Sequence, residues 1–280
     1  MKFIFATSDN ENQQKGNGCQ SITFCLWHCI IGICLFFLTS CITEDLVFTL
    51  EGSDIGKNIV AHRGNWKQHQ LPQNSIASLK EALRLDIYGV EFDVRQTNDN
   101  QLVISHDALY QGLAIANNSY SDLKEFKLKN GEDIPTLDDF LTVLKNTQTK
   151  VKFVIELKEC NVHLVLSLID SYGLLERVEF VTFNKSYCDA LVELGYGDKV
   201  SYTISAESSA MSPAEIKESG YGGVCYEYRL LGNHMEWIKD ASELDVRINV
   251  WTIDDLFLIK RYADMGLIVT TNVAWRCVRL

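Results

Sequence analysis

The chain is short of positive charge: its 280 residues carry 26 Lys and Arg against 37 Asp and Glu, for a net charge of −11. In residues 1–41, Lys2 and Lys15 balance Asp9 and Glu11, so the whole negative excess belongs to the remainder. Binding a nucleic-acid backbone needs clustered cations, and this balance excludes such a partner. An acidic protein that handles an anionic ligand needs a metal ion or a few local cations to offset the repulsion. Internal repeats and low-complexity segments are also absent. The Gly222-Gly223 pair has no lysine motif after it, so it reads as a turn rather than a phosphate cradle.

One long apolar run is present, Ile22 to Leu38, with no charged residue and a single histidine, His28. Five of the nine cysteines (Cys19, Cys25, Cys29, Cys34, Cys41) crowd in and beside it, which is no disulfide framework. The pairing of Cys160, Cys188, Cys225 and Cys277 is left open. A run of this length is a signal-peptide core or a membrane span. Directly after it, Leu38-Thr39-Ser40-Cys41 resembles the lipobox of bacterial lipoproteins, in which the cysteine is lipidated and becomes the new N-terminus. The polar stretch Thr7 to Gln20 ahead of the core keeps an uncleaved anchor helix as the alternative. Either reading tethers the folded part to a membrane, at the periplasmic or outer surface of a bacterial cell envelope.

Residues 1–41 thus read as a lipoprotein-type signal segment, 42–57 as a linker and 58–280 as one domain. With 46% hydrophobic residues there is ample material for a large core. Short β-branched runs recur at Ile59–His62, Tyr88–Val94, Val151–Leu157, Val178–Phe183, Val200–Ile204, Gly222–Tyr226, Ile248–Trp251 and Leu267–Thr270. Between them lie segments of helical spacing, such as Ile76, Leu79, Leu83, Ile87 and Val162, Val165, Leu166, Ile169. Thr136-Leu-Asp-Asp139 and Ser212-Pro-Ala-Glu215 mark helix starts. The run Leu102–His106 follows Val94 after turn residues Thr97 to Asn100, too few for a parallel crossover, so it is a hairpin return. The remaining alternation predicts a (β/α)₈ TIM barrel, with Ala108 to Ile134 as a small insertion over its mouth.

Alternation along a strand puts Glu91 and Asp93 on one face and Val90, Phe92 and Val94 on the other. Two buried, unpaired carboxylates cost several kcal/mol each, of the order expected for buried ions, and a divalent cation removes that penalty. Oxygen-only donors favour a hard ion, Mg²⁺ or Ca²⁺. A solvated pair at a strand end is the alternative. His62-Arg63-Gly64, Ser105-His106-Asp107 and Glu156-Leu-Lys158 also close strand-like runs. In a (β/α)₈ barrel such ends converge on one site. His69 is placed near the mouth, His163 and His234 on helices, and Trp66 and Trp275 at the pocket or over the barrel end.

The spacing of His62-Arg-Gly64, Pro72-Gln-Asn-Ser75, Glu91-Phe-Asp-Val94, His106-Asp107, Ile134-Pro-Thr-Leu137 and Glu156-Leu-Lys158 resembles the glycerophosphodiester phosphodiesterase family, from about Ile59 to Val273. That resemblance implies metal ligation by Glu91, Asp93 and Glu156, acid and base roles for His62 and His106, and phosphate binding by Arg63 and Lys158. It also implies that Phe183 and Trp251 pack against the substrate, a small-molecule phosphodiester. Two motifs depart from the pattern. The family usually ends its last strand in Thr-Asp-x-Pro, where this chain has Thr271-Asn-Val-Ala274, and it often carries an arginine-threonine segment where Tyr110-Gln-Gly112 stands. Turnover of intact lipids in the manner of a phospholipase D, or phosphodiester binding without turnover, are the competing expectations.

Overall fold

The computed structural model describes residues 55–278. The segment expected as a signal, and nearly all of the expected linker, lie outside the described residues. In chain order the strands are β1 (Ile59–Ala61), β2 (Gly89–Gln96), β3 (Leu102–Ile104), β4 (Leu109–Tyr110), β5 (Leu113–Ala114), β6 (Lys152–Leu157), β7 (Val178–Thr182), β8 (Val200–Ile204), β9 (Gly223–Glu227), β10 (Arg247–Trp251) and β11 (Ile268–Thr271). β1, β2 and β6 to β11 pair in parallel, each with the next, and β1 bonds to both β2 and β11, so the sheet closes into the expected barrel. β3 returns antiparallel along β2, with Val94 opposite Ile104. This is the hairpin that the Thr97 to Asn100 turn requires.

The helices are α1 (Ile76–Ala82), α2 (Tyr120–Lys124), α3 (Leu137–Lys145), α4 (Val162–Ser171), α5 (Lys185–Glu193), α6 (Pro213–Glu218), α7 (Tyr228–Asn233), α8 (Trp237–Leu244) and α9 (Leu256–Asp264). Their starts follow the sequence signals. Thr136 and Ser212 each form a reciprocal capping box with the acid three residues on. α1 is shorter than its apolar spacing suggests, because the chain has to feed β2: Leu83 caps the helix, and Tyr88 N–H already donates to Gly56 O at 2.9 Å.

Alternate strand residues divide two cores. Val90, Phe92 and Val94 face outward into the main core between strands and helices, where Phe92 meets Phe140 of α3 edge-on at 4.9 Å. Val60, Val154, Val181 and Cys225 form the separate cluster inside the barrel. The Gly222-Gly223 pair is not a turn. Gly223 opens β9, and a Cβ there would stand 2.5 Å from Ser201 Oγ and 2.9 Å from the Arg247 carbonyl, so close strand approach demands the glycine. Cys160, Cys188, Cys225 and Cys277 are buried free thiols. The insertion holds the β4–β5 hairpin and α2 over its own small core of Val103, Tyr110, Ile115, Leu123 and Ile134. No helix among the described residues is long and apolar enough to cross a membrane.

Candidate active site

The end of β1 is held tightly. Gly64 has φ 84°, and a Cβ on it would lie 2.5 Å from Ser78 Oγ, so only glycine lets this turn press against α1. Arg63, at φ 55°, turns its backbone N–H onto Glu91 Oε2 at 2.8 Å and places its guanidinium Nε 3.5 Å from Asp93 Oδ2. β2 and β6 run in register with Asp93 opposite Glu156, which draws their inward carboxylates together. Oxygens of Glu91, Asp93 and Glu156 lie within 4.8 Å of one another.

These acids are incompletely satisfied. Glu91 Oε1 is buried with no hydrogen-bond partner. Asp93 Oδ1 has only the ammonium of Lys158, at 3.4 Å, while Lys158 bonds Glu156 Oε1 at 2.5 Å. Burial, with Asp93 and Glu156 nearby, raises the Glu91 carboxyl well above its usual range. Burial and Asp93 push Glu156 up to about 7 against the pull of Lys158. Burial also acts to raise Asp93, but Lys158, Arg63 and the 2.8 Å bond from Asn74 outweigh it and hold that group low. Fully ionised, three carboxylates against Arg63 and Lys158 leave one negative charge over. Orphaned oxygens in an all-oxygen set with that surplus fit a divalent cation.

The His62 tautomer follows from its neighbours. Asp254 can only accept, and it takes the Asn272 backbone N–H at 2.9 Å, the Asn272 side-chain Nδ2 at 3.2 Å and Lys67 Nζ at 2.9 Å. Asn272 therefore turns its Oδ1 to His62 Nδ1, 2.8 Å away, and that nitrogen must carry the proton. The lone pair is left on Nε2, on the side of Glu91 Oε2 at 4.0 Å. Burial, then Arg63, lowers the imidazole to about 4, so the ring is neutral and basic at Nε2. His106 is more exposed and is steadied through Nδ1 by Asp107 Oδ1 at 2.8 Å.

The chamber these groups line is about 140 Å³. One wall is aromatic: Phe183 and Trp251 meet edge-on at 5.5 Å, and Trp251 Nε1 is anchored on Cys225 O at 3.1 Å. His62, Arg63, Glu91, His106, Glu156, Lys158, Phe183 and Trp251 all line it, and Asp93 is buried directly against Arg63 and Lys158. All nine expected site residues are thus gathered at one mouth. His69 is not among them; it faces Glu81 at 3.8 Å, on α1. His234 ends α7 rather than lying within it and bonds Glu207 at 2.9 Å. Sequence reading assigned no role to Asn74, Asn272, Asp254 or Lys67, although Asn74 lies inside a quoted motif and Asp254 follows Trp251 closely.

The family model of the glycerophosphoryl diester phosphodiesterase family matches residues 62–272. A solved glycerophosphodiester phosphodiesterase from Parabacteroides distasonis is 35% identical, with 79% of this chain and 94% of that one covered at a TM-score of 0.73. A glycerophosphodiester phosphodiesterase from Caldanaerobacter subterraneus is 30% identical over 147 residues, 45% of this chain and 58% of that protein. The chain spans about half the length of the curated relatives it matches. A phosphodiesterase from Oleispira antarctica, solved with the product sn-glycerol-3-phosphate, shares the fold at 21% identity and a TM-score of 0.63, with 77% of this chain and 92% of that one covered. With its family pattern matched from His62 to Asn272 and its fold shared along nearly the whole of a 35%-identical solved structure, the chain belongs to the glycerophosphoryl diester phosphodiesterase family.

Proposed function

We propose that the protein hydrolyses glycerophosphodiesters to an alcohol and glycerol phosphate, using a divalent metal ion and two histidines. The observation that carries this reading is the single chamber lined at once by Glu91 and Glu156 of the three-carboxylate cluster, Arg63, Lys158, His62 and His106, with Asp93 buried behind them. Glu91, Asp93 and Glu156 would hold Mg²⁺ or Ca²⁺. Such an ion, when bound, offsets negative charge on the phosphoryl oxygens. A dication turns the surplus of one negative charge into one positive, which matches the single charge of a phosphodiester.

Arg63 and Lys158 bind the non-bridging oxygens, and Phe183 with Trp251 receives the glycerol carbons. His62 Nε2, kept free by Asn272, takes the proton from the attacking hydroxyl. His106 delivers a proton to the oxygen that leaves. The attacking hydroxyl belongs to the neighbouring glycerol carbon or to water, and only the first route passes through a cyclic phosphate. The product carried by the Oleispira antarctica relative supports glycerol phosphate as the retained half.

The test is turnover by purified protein on a panel of glycerophosphodiesters and intact phospholipids, in chelator and after adding back Mg²⁺ or Ca²⁺. We expect glycerophosphodiester turnover that chelator abolishes and the ion restores. Full activity in exhaustive chelator would refute the metal role; turnover of intact lipids alone would replace the substrate reading, and binding without turnover would remove the enzyme. We place the protein at a bacterial envelope through lipid on Cys41, a reading that rests on Leu38-Thr-Ser-Cys41 after the apolar run. Cys41→Ala should abolish metabolic lipid labelling and leave a slowly processed precursor; a lipid-free, full-length product in both forms means an uncleaved anchor instead.

A further inference from the structure

A second compartment opens beside the catalytic chamber, and Arg63 and His106 line both, forming the border between them. It is much larger, about 810 Å³ against about 140 Å³. The loop after β1 and the segment from Ser105 to Gln111 build much of its wall. Its place fixes which part of a diester it meets. A phosphodiester on Arg63 and Lys158 has two esterified oxygens. The small chamber with Phe183 and Trp251 accommodates the three-carbon side, so the other alcohol extends past His106 into the larger space.

The chemistry of this wall selects among alcohols. Gln70, Gln73 and Gln111, which carry amide side chains, line it. Gln73 uses its Oε1 to hold Arg63 at 2.7 Å, which leaves its amide N–H groups to donate. Among the described residues Asp107 is the one carboxylate lining the compartment, and it already accepts from His106, while Arg63 and Lys67 are held by Asp93 and Asp254 and Lys129 adds a positive charge. An ammonium alcohol needs free carboxylates or an aromatic cage, and the lining offers neither: Asp107 is engaged by His106, and Tyr110 is packed into the insertion's core, which leaves Trp66 alone. A polyol, whose hydroxyls donate and accept alike, finds partners in the amides.

The backbone points to the same place. Six non-glycine residues among those described have positive φ, and four of them, Arg63, Gln70, Asn74 and Gln111, line this compartment. A left-handed backbone is strained for a residue with a Cβ and persists where the surroundings impose it, commonly around ligands. Gln111 belongs to Tyr110-Gln-Gly112, one of the two motifs that depart from the family pattern.

We propose that this compartment is a leaving-group subsite for polyhydroxylated alcohols of the glycerol or inositol type. It selects their glycerophosphodiesters over those of choline and ethanolamine. The assignment rests on the phosphodiesterase reading above and names its substrate class. The chemistry is the same: the phosphorus–oxygen bond to the polyol breaks, and that oxygen takes a proton from His106.

The test measures kcat/KM of the full-length protein in detergent, with Mg²⁺ or Ca²⁺, on glycerophosphoglycerol, glycerophosphoinositol, glycerophosphocholine and glycerophosphoethanolamine. The polyol esters should lead by roughly tenfold or more, the loss expected from about one net hydrogen bond. Gln70→Ala and Gln111→Ala should each shrink that ratio severalfold through loss on the polyol esters. Gln111→Asn, which keeps an amide and tolerates a left-handed backbone, should restore part of it. Equal turnover of the four esters, a lead for choline, or an unchanged ratio in both alanine variants at wild-type melting temperature overturns the subsite while the phosphodiesterase reading stands. No turnover of any of the four with either ion removes that reading and the subsite with it.

Discussion

The two ends of the barrel interior both carry acid, and they treat it in opposite ways. Near the floor, Glu179 of β7 accepts from Tyr88 Oη at 2.5 Å and lies 4.0 Å from Arg247 Nε, one acid between a partner just ahead of β2 and one at the start of β10. Gly223 makes that arrangement fit, since a side chain there would strike Ser201 and Arg247. At the mouth, three acids converge on each other, and oxygens of Glu91 and Asp93 are left without hydrogen-bond partners. The floor acid has its partners as folded, although Arg247 Nη2 beside it has no hydrogen-bond partner among the described residues. The mouth is complete only with something bound, and that asymmetry separates a structural charge from a functional one more clearly than burial does, because Glu91 is more deeply buried than Glu179.

The largest break in this contrast comes from the two histidines proposed for proton transfer, which lie only at the mouth. His62→Ala and His106→Ala should each lower kcat by roughly 10²- to 10⁴-fold, the usual share of positioned proton transfer, with the double variant little worse than either. A substrate whose leaving group needs no proton should rescue His106→Ala and leave His62→Ala slow. Stopped-flow or steady-state rates on the two substrate types decide it. Near wild-type turnover in both single variants would mean that the mechanism is wrong even though the fold stands.

A smaller effect sharpens the contrast in stability. Glu179→Gln removes the floor's charge from between Tyr88 and Arg247 and should cost about 1–3 kcal/mol of unfolding free energy, the range for disturbing a buried hydrogen-bonded group. Activity per folded molecule should persist. Glu91→Gln should do the reverse, leaving the metal-free protein as stable as wild type or more so, while abolishing the rise in melting temperature on adding Mg²⁺ or Ca²⁺. Denaturant titration with and without the ion reads both, and a matched loss of stability in the two variants would erase the distinction between mouth and floor.

Much of the mouth was legible in sequence because its residues end strands, and strand ends are marked by a change from β-branched residues to His-Arg-Gly, His-Asp or Glu-Leu-Lys. Alternation put Glu91 and Asp93 on one face, and the short turn after Val94 required a hairpin. The groups that steady the site were not legible in the same way. Asn74 reaches Asp93 across 19 positions and Asp254 reaches Asn272 across 18, both through hydrogen bonds set by register and loop path rather than by any local pattern. The floor was hidden for the same reason: Tyr88 and Glu179 are 91 residues apart, and the glycine that admits Arg247 reads locally as a turn.

The bond between His62 and Asn272 joins positions 210 apart, on the loops that leave the first and last strands of the ring. His62 has its fixed tautomer only when those two strands are side by side. The carboxylates, Arg63 and Lys158 all lie on β1, β2 and β6 or within two residues of their ends, whereas the partner that fixes the His62 ring follows β11. Competence therefore arrives with the final strand. A nick or fraying confined to the seam between β1 and β11 would silence the enzyme while most of its core still stood, so loss of turnover on gentle heating should run ahead of loss of helical signal.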